Sequence, residues 1–229
     1  ALAIAEAASQ HHGLTLVIST DTSSAMRLED ELRFFAAHLP VLHFPDWEIL
    51  PSDVFSPHPD IISQRLATLA QLQDTRTGVL ILPISTLLHR LPPASFYQGQ
   101  SFALDVGAHF DVDNTRLQLE AAGYHAVDTV YEHGEYAVRG AIMDIFPMGQ
   151  SQPFRIELFD DEIDSLRNFD PDSTRTIHKV DSNRILPARE FPLDKTALRI
   201  FQRPWFHFFE QDPTSTSVLP DIANSIDPP

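Results

Sequence analysis

The segment from Glu132 to Thr176 constrains the fold of this chain more than any other. Apolar residues recur at every second position in it, and Pro and Gly residues separate the apolar runs. This spacing predicts tightly connected antiparallel strands. The first strand is predicted to carry its apolar side chains on one face: Tyr136, Val138, Ile142 and Phe146.

The second predicted strand has two faces of different character. Its apolar face carries Phe154, Ile156 and Leu158. Its other face carries Arg155, Glu157 and Phe159. A phenylalanine beside an arginine, opposite a filled apolar face, is typical of a binding surface. An ordinary solvent-exposed face is the alternative, because single exposed apolar residues are common.

Composition narrows the class of protein. The 229 residues are 43% hydrophobic, which suffices for one large domain or two small ones. The chain has no apolar run of about 20 residues and no basic, apolar leader, so we expect neither a membrane span nor a signal peptide. It has no cysteine, which excludes disulfides and is typical of a cytoplasmic protein. The net charge of −16 argues against strong binding of nucleic acid by this chain.

The first half alternates between strand and helix signals. Short apolar runs at residues 14–19, 41–44 and 79–82 predict buried strands. One of the residues from Asp21 to Ser24 is predicted to cap the next helix, and Asp60 a later one. Strands that alternate with helices indicate a parallel sheet.

The pattern changes near Ser101. A strand over 102–106 precedes a helix that Asp113 is predicted to cap and Gly123 to end, and consecutive strands follow. The chain therefore predicts a first segment over 1–100, an inserted α+β domain over 101–182, and a return segment with an irregular tail over 183–229.

No known catalytic pattern is present in the sequence. It lacks the glycine-rich loop ending in Lys and Ser or Thr that holds nucleotide phosphates, and its histidines lack metal-ligand spacing. The acidic string from Phe159 to Asp164 is predicted to be a solvated turn rather than a magnesium site. We therefore predict no catalytic residue, no cofactor and no metal.

Three long strings carry a resemblance to a known family: DWEILPSDVFSPHPDIISQRLATL, EHGEYAVRGAIMDIFPMG and FRIELFDDEIDSLRNFDPDSTRT. They strongly resemble the N-terminal region of the bacterial transcription-repair coupling factor (Mfd), which is itself similar to the repair protein UvrB. The resemblance implies an α/β fold in which a degenerate RecA-like parallel-sheet domain is interrupted by an inserted antiparallel α+β domain, as in UvrB.

The resemblance also implies a function. In this family the inserted domain binds UvrA and brings it to RNA polymerase stalled at DNA damage. The family positions that match Arg139, Arg155 and Phe159 carry the contact with UvrA. The resemblance thus implies a non-catalytic recruitment module, while RNA polymerase and DNA are contacted by other domains of the longer family members. It implies no membrane contact.

Other functions stay open at this point. A residual ATPase or helicase fragment and a module that binds damaged DNA are the alternatives. At the site, truncating any of the three predicted residues is expected to cost about 1–4 kcal/mol of binding with little effect on folding. The competing interpretation is that Phe159 packs under the acidic turn and Arg155 pairs with Glu157 or Asp161.

Overall fold

The structure is a computed structural model that describes residues 1–49, 56–193, 196–197 and 199–200. It divides into a unit over Ala1–Glu190 and a second unit over Phe191–Pro229. The predicted irregular tail after Gln202 lies outside the described residues. The predicted mixture of a parallel and an antiparallel sheet is confirmed, whereas kinship of the first region to RecA-like domains stays a prediction.

A three-stranded parallel sheet organises the first region, with strand order β1-β3-β2. Its strands are β1 (Leu14–Ser19), β2 (Val41–His43) and β3 (Gly78–Pro83), and its helices are α1 (Leu2–Gln10), α2 (Thr22–Phe35), α3 (Pro59–Asp74), α4 (Ile84–Leu87) and α5 (Ala94–Gln100). Alanines and a leucine of α1 and α2 pack against Val79 and Ile81 of β3.

Strand β1 was predicted to be buried, and this is wrong for one of its faces. Leu16 is 49% exposed and Ile18 is 47% exposed. Among the described strands β1 pairs only with β3, and its Val17 packs into the core formed with α1 and α2. The opposite face of β1, which carries Leu16 and Ile18, does not pack against these helices in the same way.

Two of the three predicted helix caps are wrong by two residues. Asp21 caps α2 as expected, since its carboxylate accepts the Ser24 N–H at 2.7 Å. The cap of α3 is His58 rather than Asp60, which lies in the first helical turn. The cap of α6 (Val112–Ala121) is Asp111 rather than Asp113. A capping side chain must precede the helix and reach forward to accept a free N–H of its first turn.

A six-stranded sheet forms the second region, in the order β10-β9-β8-β7-β6-β5. Its strands are β5 (His125–Ala126), β6 (Glu135–Arg139), β7 (Ile142–Ile145), β8 (Phe154–Phe159), β9 (Glu162–Phe169) and β10 (Thr176–Val180). All neighbours are antiparallel except β5 and β6. Two further strands, β4 (Phe102–Asp105) and β11 (Ser182–Ile185), pair with each other. Helix α6 packs Leu119 into the core on the inner face of the six-stranded sheet.

The prediction for the first strand of this sheet is wrong because the segment makes two strands. The chain turns at Gly140, whose φ of 62° suits glycine, and Val138 then pairs with Met143. The turn reverses which positions face the core. Met143 and Ile145 join Tyr136 in the main core, while Phe146 packs on the opposite face of the sheet.

Side-chain contacts join the two regions within the first unit. The Ser63 hydroxyl accepts the Gly149 N–H at 2.8 Å, and His133 Nδ1 lies 2.7 Å from a carboxylate oxygen of Asp60. Arg65 and Glu190, 0% and 3% exposed, form a buried ion pair. The predicted boundaries at residues 101 and 183 stay predictions.

Candidate partner-binding surface

The outer face of the six-stranded sheet carries the three residues predicted to bind a partner. Along β8, Phe154 and Ile156 lie in the main core, and Arg155 and Phe159 occupy alternate positions that face outward. Arg139 is the last residue of β6. Phe159 is 76% exposed at the end of β8. We call this outer surface, with the side chains of β6 to β10 that line it, the arginine face.

Asp144 connects the two arginines, and sequence reasoning missed it. It lies on β7 directly opposite Arg155, between the strands of the two arginines. Arg155 donates Nε and Nη2 to its two carboxylate oxygens at 2.7 and 2.9 Å, and Arg139 donates Nη2 at 2.5 Å. The bonds to Asp144 raise the pKa of the Arg155 guanidinium above its usual range.

The competing interpretation of these residues is wrong on both points. Phe159 does not pack under the acidic turn, because most of its side chain is exposed. Arg155 pairs with Asp144 rather than with Glu157 or Asp161. Asp161 is itself exposed in the turn between β8 and β9, as predicted for the acidic string. Its Oδ2 lies 3.2 Å from Nδ1 of His109.

A second ion pair continues the arginine face across β8 and β9. Arg167 Nη2 lies 2.8 Å from Glu157 Oε2, and the Ser165 hydroxyl donates to the same oxygen at 2.7 Å. Lys179 of the edge strand β10 is directly opposite Arg167 and forms no ion pair with any described residue. Arg155, Arg167 and Lys179 therefore place three cations side by side on a chain that is acidic overall.

The region that carries this face matches a known family. The sequence profile of the UvrB interaction domain matches residues 102–191. We call residues 102–191, the part of the chain that this profile matches, the UvrB interaction domain. The UvrB interaction domain thus begins at the first residue of β4 and contains the whole six-stranded sheet.

Relatives extend the similarity beyond the UvrB interaction domain. The transcription-repair-coupling factors of Escherichia coli and Haemophilus influenzae are both 49% identical to the chain, over 90% and 93% of its length. That of Bacillus subtilis is 31% identical over 76% of the chain. The matches cover 18%, 19% and 15% of these relatives, so the chain spans less than a fifth of their length. The predicted resemblance to the N-terminal region of coupling factors is confirmed.

A polar cavity of about 420 Å³ lies on the inner side of the UvrB interaction domain, away from the arginine face. Its lining includes Asp105, Asn168, His178 and Arg184. No cluster of three metal-ligating side chains occurs among the described residues. No described helix is both long enough and apolar enough to cross a membrane.

Proposed function

We propose that this chain is a recruitment module of a transcription-repair coupling factor and that its UvrB interaction domain binds UvrA. The module would bring UvrA to RNA polymerase stalled at DNA damage. The family match over 102–191 and the similarity to coupling factors support this proposal. RNA polymerase and DNA would be contacted by parts of the longer relatives that this chain does not match, and the module would work in the cytoplasm.

One observation carries the proposal: Arg139, Arg155 and Phe159 lie on a single face of the sheet. Phe159 is 76% exposed, and a large exposed aromatic side chain is a common anchor in protein interfaces. The two guanidiniums on the same face offer paired hydrogen bonds to carboxylates. Such a surface suits an acidic partner with an apolar pocket.

We also propose that the chain recruits without catalysing a reaction. The domain organisation that accompanies this proposal is a first segment over 1–100, the inserted domain over 101–182 and the return segment from 183. The motor of a coupling factor would then lie in the parts of the longer relatives outside the matched region.

Parallel titrations of the whole chain test the proposal against its alternatives. Purified UvrA should bind saturably, whereas ATP with magnesium and a damaged DNA duplex at physiological salt should not. Saturable binding of ATP in the micromolar range, an affinity of about −8 kcal/mol, would favour a residual ATPase fragment. Tight binding of the duplex without binding of UvrA would favour a DNA-binding module.

A further inference from the structure

Asp144 is a charged residue in an apolar stretch of β7. Its neighbours Met143 and Ile145 are both 0% exposed, and its own side chain is 3% exposed. A buried carboxylate is costly unless cations or hydrogen-bond donors surround it. Among the described residues, both ion-pair partners of Asp144 are arginines of the arginine face.

The bonds at Asp144 determine how the two guanidiniums are presented. Arg155 uses its Nε and Nη2 on the carboxylate, and Arg139 uses one Nη2. A guanidinium has five N–H donors, so each arginine keeps donors that Asp144 does not occupy. The side chain of Arg139 is 51% exposed. One buried carboxylate thus holds two long, flexible side chains beside each other.

We propose that Asp144 is a positioning residue for the contact with UvrA. It fixes Arg139 and Arg155 so that together they receive a carboxylate of the partner. This inference rests on the proposed function. Its physical basis is pre-organisation, because side chains that are already ordered lose less conformational freedom on binding.

A purely electrostatic role of Asp144 and a role in positioning the two arginines predict opposite effects of removing its charge. Asp144→Asn makes the arginine face more positive, so a carboxylate that contributed charge alone would weaken the attraction to an acidic partner, and its loss would strengthen binding. If Asp144 instead positions the arginines, its replacement leaves Arg139 and Arg155 disordered, and binding weakens. We therefore expect Asp144→Asn to raise the Kd for UvrA about tenfold, the effect of losing one well-made charged hydrogen bond.

The test is calorimetric titration of UvrA with the whole chain carrying Asp144→Asn, Arg139→Ala or both. If Asp144 acts through the arginines, the Asn substitution should weaken binding much less when Arg139 is already absent. The charge control is Asp164→Asn, an exposed carboxylate on β9 with no ion pair among the described residues. It should not weaken binding. The inference would be overturned if Asp144→Asn bound UvrA as tightly as the unchanged chain, or more tightly. It would also be overturned if the Kd of the double variant rose by the product of the two single increases.

Asp144→Glu provides a second variant in case the Asn substitution prevents folding. It keeps the charge and displaces the carboxylate by one methylene, so a positioning role predicts a raised Kd and a charge role predicts an unchanged one. Failure of the unchanged chain to bind UvrA would refute the proposed function itself. Binding that Arg139→Ala weakens but Asp144→Glu leaves unchanged would refute the positioning role alone.

Discussion

Arg139 and Arg155 lie on the same face but contribute differently to folding. Arg155 is 21% exposed and supplies two of the bonds to the buried Asp144, while Arg139 is 51% exposed and supplies one. Exposed ion pairs contribute little to stability, whereas a buried carboxylate that loses its main partner is costly. The side chain that matters more for stability is therefore Arg155.

We predict that Arg155→Ala lowers the free energy of unfolding by about 2–3 kcal/mol, and Arg139→Ala by less than about 1 kcal/mol. Urea denaturation of the whole chain measures both. Phe159→Ala should leave stability unchanged because its side chain is largely exposed. The structure thus changes the expectation that all three truncations spare folding. Equal losses for the two arginines would contradict this account of Asp144.

The family resemblance implied Arg139, Arg155 and Phe159 as binding residues, but sequence reasoning missed Asp144, which connects the two arginines. Arg155 and Phe159 follow from the two-residue period of a strand, which needs no knowledge of its neighbours. Asp144 becomes visible only when the strand register is known, since it is the pairing of β7 with β8 that brings it to Arg155. An acidic residue within the apolar string IMDIF was the available signal, because such a residue requires a partner.

Strand β11 shows how one short element completes the UvrB interaction domain. It pairs along its length with β4, and its Ile185 is 0% exposed within the main core. The Tyr124 hydroxyl donates to the Leu186 carbonyl at 2.7 Å, and burial raises the pKa of that phenol above its usual range. The predicted end of the inserted domain, residue 182, precedes these contacts.

We predict that a fragment over residues 101–190 melts cooperatively and that a fragment over 101–180 does not reach the same stability. The shorter fragment lacks β11 and leaves the site of Ile185 unfilled, and burial of such a side chain contributes about 1.5–3 kcal/mol. Thermal melts followed by circular dichroism compare the two. Indistinguishable melting temperatures would mean that β11 is dispensable.

Short turns and helix caps are where the predicted strands and helices differ from the structure. Alternating apolar residues correctly predicted β8, but a turn at Gly140 reversed the faces of the segment before it. Adjacent polar residues similarly shifted two helix caps, because several side chains near each helix start are able to accept an N–H.

A buried ion pair connects the first region to the end of the UvrB interaction domain. Arg65 of α3 is 0% exposed and pairs with Glu190, which also accepts the Trp47 indole N–H at 3.1 Å. The Arg65 guanidinium lies 4.1 Å from the centre of the Phe44 ring. Residues far apart in the sequence meet here, so no local pattern predicts the contact.

We predict that Glu190→Gln destabilises the chain by about 3–5 kcal/mol, because it leaves the buried Arg65 without its counter-charge. The double variant Arg65→Met with Glu190→Leu should recover most of that loss, since well-packed apolar residues replace buried ion pairs at little cost. Urea denaturation measures all three proteins. A double variant no more stable than Glu190→Gln would show that the hydrogen bonds to Trp47 and Pro45, rather than charge pairing, hold this junction.

Comparing the Kd for UvrA of Phe159→Ala with that of Phe34→Ala tests whether the arginine face binds UvrA. Both substitutions truncate an exposed phenylalanine, 76% and 79% exposed, and Phe34 lies on α2 outside the UvrB interaction domain. If the arginine face binds UvrA, Phe159→Ala should cost about 2 kcal/mol or more of binding free energy. Phe34→Ala should bind as the unchanged chain does. Equal affinities of the two variants for UvrA would contradict the account.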